Sequence, residues 1–324
     1  MRDIVIFAGS AHGTLAKDIC TSLKVPLSPA SVTRFSNDCL QVQLRANCRE
    51  ADVFVIQPLV SPVHDHLMEL LQMLDAARGA SASRVTAVIP YFSYARSDRK
   101  DAPRISIAAR LVADLLVTAG ANRVLTMALH APQVHGFFSV PVDHLHALHV
   151  LAGHFRKQNL ADTVIVSPDL GRAKEAAHFG HLLGLGVAAG NKRRVSDQKV
   201  VIDTIVGQVE GSNVIVLDDE IANGGTIVEL LDRLRERHVR NISVACTHGL
   251  FTGQAAARFR DQQQVVEIVT TDTVPRAISS ELPGLRTLTV APLLAEAIRR
   301  IHEGESISSL LTSPEWDTGG QCPP

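Results

Sequence analysis

The sequence predicts an α/β protein made of two successive halves, each a mostly parallel sheet flanked by helices. Three observations carry this. Short β-branched apolar runs alternate along the chain with segments whose apolar residues recur at helical spacing. The runs are apolar at consecutive positions, as in strands buried on both faces. After Pro141 the order of elements begins again.

In the first half, residues 4–7 (Ile-Val-Ile-Phe) read as a buried strand, followed by a loop at 9–13 and a helix over 15–23. Strands at 32–35 and 41–44 bracket a turn at Ser36-Asn37-Asp38, and 52–56 is another buried strand. Residues 64–77 form a helix with Leu67, Leu70, Leu71 and Leu74 on one face. A strand at 85–89 ends at Pro90 in an aromatic and charged loop, 91–104. A helix over 107–119 and a strand over 123–127 then lead to His130.

In the second half, a strand at 163–166 reaches Pro168-Asp169 and a helix covers 173–183. A short apolar piece at 187–189 precedes a basic loop, and strands follow at 200–206 and 214–217. Helices at 227–237 and 254–260 alternate with strands at 242–246 and 265–270. A last helix, 293–302, has Leu294, Ala297, Ile298 and Ile301 spaced for burial. The expected domains are 1–145 and 146–311, with a loose Pro/Gly-rich tail at 312–324. The duplication rests on element order alone, since no residue-level repeat is visible.

Composition narrows the function. At 324 residues, 46% apolar, 20% charged and net charge −1, the chain is an ordinary globular protein with room for two cores. A balanced charge argues against general nucleic-acid binding, and 4% aromatics leave few platforms for base stacking. The five cysteines are scattered and form no CxxC pair, so neither a disulfide framework nor a zinc site is indicated. No basic leader precedes the first strand and no apolar run approaches the ~20 residues that span a bilayer. A cytoplasmic protein without membrane or nucleic-acid partners is expected.

The chemistry gathers around residues 215–226, Ile-Val-Leu-Asp-Asp-Glu-Ile-Ala-Asn-Gly-Gly-Thr. A strand, a small-residue loop and a helix start aim free backbone N–H groups and a positive helix end at one spot, an anion site. Glycines let a phosphate approach, and Thr226 adds a hydroxyl. Asp218 and Asp219 can accept hydrogen bonds from sugar hydroxyls or hold a magnesium ion. One turn could grip both ends of a sugar phosphate; an acidic strand end beside an ordinary glycine turn is the alternative. Ligands gather at the carboxyl ends of parallel strands. His130 and Asp169 sit at such ends, and the basic Asn191-Lys192-Arg193-Arg194 segment follows another. Those are the parts phosphoryl transfer needs. The basic segment reads either as a solvated surface loop or as a cationic flap closing over a polyphosphate. Arg96, in a mixed-charge loop, could stack on an adenine or bind a phosphate. His146 and His149 have i,i+3 spacing, but the junction histidines fit no zinc pattern.

Many blocks, in order, resemble the ribose-phosphate diphosphokinases (phosphoribosyl pyrophosphate synthetases). They include Phe35-Ser36-Asn37, residues 81–90, Tyr94-Ala95-Arg96, Leu129-His130, Gly136-Phe137-Phe138, Ser167-Pro168-Asp169, Thr247-His248-Gly249 and residues 294–300. The resemblance covers nearly the whole chain. It implies two phosphoribosyltransferase-like domains, a homo-oligomer (a hexamer of dimers), and transfer of the diphosphoryl group of Mg-ATP to C1 of ribose 5-phosphate. It implies that Lys192 and Arg194 stabilise the transferring group, with His130 as an active-site residue. His130 and Asp169 would be the magnesium ligands. Asp218, Asp219 and Ala222, Asn223, Gly224, Gly225, Thr226 would bind ribose 5-phosphate. Phe35 and Asn37 of a neighbouring subunit, with Arg96, would hold ATP.

The chain also departs from the family pattern. Ala128 stands where the family usually has Asp, Ala222-Asn223 where it has Asp-Thr, and Cys39 where it has Glu. Asp169 is followed by Leu170-Gly171-Arg172 instead of a small-residue run. One lost hydrogen bond costs about 1–3 kcal/mol, which weakens binding without abolishing chemistry. The alternative reading is a non-catalytic regulatory homologue that binds nucleotide within a synthetase oligomer. The basic Lys192 to Arg194 segment argues against it, as the ATP-type blocks argue against a phosphoribosyltransferase.

Overall fold

The computed structural model describes residues 3–196, 199–275, 282 and 284–312, with the backbone alone at 192–196, 199–201 and 311–312. The first part of the chain contributes β1 (Ile4–Ala8), α1 (Gly13–Leu23), a hairpin of β2 (Ala30–Arg34) and β3 (Leu40–Leu44), and β4 (Asp52–Ile56). It continues through α2 (Val63–Gly79), β5 (Arg84–Ile89), α3 (Ala108–Ala119), β6 (Arg123–Met127) and β7 (Val142–Leu145). Strands β1, β4, β5, β6 and β7 form one five-stranded sheet in that order, parallel throughout.

The second part contributes α4 (Leu148–Phe155), β8 (Thr163–Ser167), α5 (Ala173–Leu183), β9 (Gly186–Ser196) and β10 (Lys199–Val206). Then come β11 (Asn213–Ile221), α6 (Gly225–Glu236), β12 (Ile242–Gly249), α7 (Ala255–Arg260), β13 (Val265–Thr271), β14 (Leu285–Leu288), α8 (Ala291–Glu303) and α9 (Ser309–Thr312). Its seven-stranded sheet has the order β10-β9-β8-β11-β12-β13-β14, and only the β9–β10 pair is antiparallel. This is the expected α/β class, two mostly parallel sheets with helices on their faces.

The period of two along each strand decides which layer a side chain joins. In β11, Ile215 and Leu217 pack with α4 and α5, while Val214 and Val216 pack with α6 and α7. In the first sheet, Val53, Val55, Ala87 and Ile89 face α2 and α3. Phe54, Ile56, Val88 and Leu125 face α1 and α8. Helix α8 therefore returns from the far end of the chain to cover the first sheet. Leu294, Ala297 and Ile298 are 0% exposed there, and each large apolar side chain so buried contributes roughly 1.5–3 kcal/mol. The expected division gives α8 to 146–311 by chain position; its apolar face lies against the first layer.

Several elements differ from expectation for physical reasons. The basic stretch expected as a loop is the outer end of β9, with the Lys192 backbone opposite Ile202 and Arg194 opposite Val200. Antiparallel pairing supplies the order that side-chain periodicity does not announce. Strand β11 runs on past Leu217 because its pairing to β12 continues through Asp218↔Cys246 and Glu220↔His248, so the acidic residues lie in the strand. β7 and α4 were hidden by their polar residues: His144 sits within β7, and His149 and His154 interrupt the apolar face of α4. The expected tail, from residue 313 on, lies outside the described residues.

Candidate active site

The two layers meet where β6 and β11 end. Past β6, Ala128 takes a left-handed conformation (φ 43°) that L-residues seldom adopt, and the turn delivers His130 to the other layer. Its backbone is held from both sides. Ala128 N–H donates to Leu145 O at 2.9 Å, and Ala128 O accepts from His248 Nε2 at 3.2 Å. Leu129 N–H donates to His144 Nε2 at 2.8 Å, which a neutral ring can accept. Burial lowers the pKa of His144 to about 3, so the ring is neutral at physiological pH.

His130 Nδ1 lies 2.8 Å from Asp219 Oδ2, and Arg172 Nη2 reaches the same oxygen at 2.5 Å. Asp219 is nearly buried, with a side chain only 3% exposed. Burial alone would raise the pKa of this carboxyl, but the His130 hydrogen bond and the Arg172 charge outweigh it and hold Asp219 ionised well below the usual range. Burial and the neighbouring Asp219 charge push Asp218 the other way, well above its usual value. Asp218 Oδ1 accepts the Asp219 N–H at 2.9 Å. An ionised Asp219 only accepts hydrogen bonds, so His130 carries its proton on Nδ1 and a neutral ring leaves Nε2 as an acceptor.

Gly224 caps α6 with φ +73°, a conformation that favours glycine, and a Cβ there would lie 3.1 Å from Phe259 Cε2. Asn223 Oδ1 accepts the Gly225 N–H at 3.0 Å, so its side chain organises the turn itself. Thr226 and Ile227, in the first helical turn, line the same cavity as Arg96, His130, Asp169, Arg172, Asp218 and Asp219. First-turn amides have no partner within their own helix, and the helix start favours an anion. Asp169 Oδ1 accepts the Arg172 N–H at 3.2 Å, holding the turn after β8.

One cavity thus collects His130, Asp169, Arg96, Asp218, Asp219 and the whole 222–226 segment. The other expected residues lie elsewhere or beyond description. Phe35 and Asn37 lie beyond β2, where Phe35 is half exposed and Asn37 Oδ1 accepts the Cys39 N–H; neither lines this cavity within one chain. The Lys192 and Arg194 side chains lie outside the described residues, although their backbone belongs to β9.

Sequence reasoning missed the roles of two residues here. In the sequence Arg172 reads only as a break in a small-residue run, yet its guanidinium reaches Asp219, Glu175 and the His130 carbonyl. Glu220, the third of three consecutive acids, accepts from Arg96 Nη1 at 3.1 Å and from the Tyr91 hydroxyl at 3.2 Å. The signal for Arg172 was a charge at a tight turn after Asp169, and for Glu220 the run of carboxylates itself.

Among the described residues, no three His, Cys, Asp or Glu side chains group as a metal centre. His130 and Asp169 still line one cavity, and a carboxylate with one further donor fits magnesium, which keeps waters and substrate phosphates as its other ligands. Among the described residues no helix is long and apolar enough to cross a membrane.

Comparison with known proteins agrees with this architecture. Residues 4–120 match the family described as the N-terminal domain of ribose phosphate pyrophosphokinase, and residues 191–312 match the phosphoribosyl synthetase-associated domain. The chain is 63% identical over 310 residues to a Streptomyces coelicolor relative, covering 96% of this chain and 98% of that one. It is 47% identical to the ribose-phosphate pyrophosphokinase of Deinococcus radiodurans over 314 residues, 95% of this chain and 98% of the other. The crystal structure of phosphoribosylpyrophosphate synthetase from Mycobacterium smegmatis superimposes with a TM-score of 0.88 at 37% identity, covering 94% of this chain and 100% of that one. On this identity and coverage, the chain is an enzyme of the ribose-phosphate pyrophosphokinase family.

Proposed function

We propose that the cavity between the layers transfers the diphosphoryl group of Mg-ATP to C1 of ribose 5-phosphate, giving phosphoribosyl pyrophosphate and AMP. The observation that carries this is the convergence, in one cavity, of the α6 start and acidic pair from one layer with His130 and Arg96 from the other. The 5-phosphate sits on the first-turn amides and the Thr226 hydroxyl, and the ribose hydroxyls donate to the oxygens of Asp218 and Asp219 that the protein leaves open. The C1 hydroxyl oxygen bonds to the β-phosphorus as the bond from that phosphorus to the α–β bridging oxygen breaks. AMP leaves with that oxygen, and the hydroxyl proton is released.

His130 and Asp169 would hold magnesium, which when bound neutralises charge on the phosphates. His130 presents Nε2 to the cavity, and Arg96 meets the nucleotide. Lys192 and Arg194 ride on the β9–β10 arm, whose antiparallel pairing carries their backbone beyond the parallel sheet. There they neutralise the transferring group. Phe35, exposed beyond β2 and absent from this cavity, fits a role in the cavity of a neighbouring copy, and so a homo-oligomer.

The test is AMP formation from ATP, ribose 5-phosphate and magnesium, with Lys192→Ala alongside. Wild-type turnover is expected, with a fall of at least about a hundredfold in the variant, in line with losing one transition-state donor. Absence of AMP from the wild type would sink the reading, and an unaffected variant would remove the arm from it.

A further inference from the structure

Arg172 lies on the short turn that leads into α5, its side chain only 16% exposed. Glu175, on the next turn, anchors it through Nη1 at 2.8 Å. Its Nη2 then spans the two layers, donating to Asp219 Oδ2 on β11 at 2.5 Å and to the His130 carbonyl at 3.0 Å. Nη2 and His130 Nδ1, 3.2 Å apart, are both donors, so they are not bonded to each other. They converge on one carboxylate oxygen. The contact that docks the His130 turn onto the second layer is therefore the one that sets the ring's acceptor.

We infer that Arg172 is a positioning residue for diphosphoryl transfer: it pins Asp219 on Nδ1 of His130 and so presents an unprotonated Nε2 to the cavity. The inference rests on the function proposed above for His130, and no feature of the family resemblance assigns Arg172 a part. Without the guanidinium, Asp219 loses its cationic partner and keeps the mostly buried Asp218 beside it. The His130 carbonyl loses its donor from the second layer, so the turn no longer seats Nδ1 on Asp219. An imidazole no longer held at Nδ1 is free to carry its proton on Nε2, the nitrogen the cavity needs as an acceptor. Nη2 reaches the carboxylate and the carbonyl while Nη1 holds Glu175, so a lysine, with a single nitrogen, supplies the charge without the anchor.

The test is imidazole nitrogen NMR on the full, substrate-free chain labelled with ¹⁵N-histidine, at a pH where the rings are neutral. The His130 signals are assigned by their loss in His130→Gln. Wild type is expected to show Nδ1 protonated and Nε2 bare. Arg172→Ala is expected to shift His130 toward the Nε2–H form and to lower kcat by roughly 10- to 100-fold, the usual cost of removing a residue that orients a ligand. Arg172→Lys is expected to recover only part of either change. A wild-type ring protonated on Nε2 overturns the inference, whether or not Arg172→Ala folds. So does a folded Arg172→Ala with an unchanged ring. A wild type that makes no AMP yet shows Nδ1 protonated would refute the proposed reaction and leave this arrangement standing.

Discussion

Arg96 Nη1 donates to Glu220 Oε1 at 3.1 Å, joining the loop after β5 in the first layer to β11 in the second. The Arg96 side chain is 56% exposed and Glu220 6%, so the acid is fixed and the cation lies at the cavity mouth. Tyr91 takes the other oxygen of the same carboxylate. Glu220 thus competes with any polyanion for Arg96.

Glu220→Gln keeps an acceptor for Tyr91 and removes the charge. The KM for ATP is expected to fall by roughly three- to tenfold, the worth of about one charge-assisted hydrogen bond, with little change in KM for ribose 5-phosphate. Steady-state kinetics decide it, and a raised KM for ATP would exclude the competition.

Gly224→Ala places a Cβ at a positive φ and against the ring of Phe259. Stability should fall by about 1–2 kcal/mol, and KM for ribose 5-phosphate should rise with the tilt of the α6 start. Urea unfolding and initial rates measure the two separately. An unaltered KM would mean that the sugar phosphate does not rest on this turn.

His248 is 2% exposed and makes two hydrogen bonds at its ring, with Thr273 Oγ1 at 2.9 Å and Ala128 O at 3.2 Å. Burial lowers its pKa from 6.5 to about 4. Above pH 6.5 the ring is neutral folded or unfolded and adds no pH dependence. Between 6.5 and about 4 the unfolded chain binds a proton that the folded one refuses, so stability falls with pH by about 1.4 kcal/mol per unit from this residue. In denaturant midpoints across that window, His248→Gln should flatten the slope by this amount. An unchanged slope would show that the ring does not stay neutral.

Leu294→Ala tests the return of α8 to the first sheet. The side chain is 0% exposed, in one cluster with Phe54, Val88 and Leu125, so the loss should be about 2–5 kcal/mol. Hydrogen exchange should loosen in β4 and β5 ahead of β11. Loosening confined to β11 would place the helix wrongly.

Much of the fold was legible because buried parallel strands announce themselves. Consecutive apolar residues at 52–56 or 214–217 have few other places to go. Elements whose burial depends on polar partners were not legible. His144 belongs to a strand because its backbone pairs alongside Thr126 of β6, and its buried ring is satisfied by the Leu129 amide, which no periodicity reports. The basic end of β9 is a strand only because β10 folds back beside it. At the site, His130, Asp169 and the acidic pair stand at strand ends, Arg96 in a charged loop and 222–226 in a small-residue turn, and all of them line one cavity. Arg172 and Glu220 escaped because each acts through a partner far away in sequence, on the other layer.

By itself the sequence determined the alternation of strands and helices, the small-residue turn that starts α6, and the family. The first two follow from local propensity and side-chain spacing, which neighbours along the chain decide, and the family from the motif blocks that resemble it. Only the tertiary structure decided that α8 covers the first sheet, and that one carboxylate of the acidic pair is held by His130 and Arg172 while Glu220 holds Arg96. For α8 the reason is burial of its apolar face; for the charges it is electrostatic, since a buried charge is stable only beside its counter-charge, and which charges become neighbours is settled when the layers close.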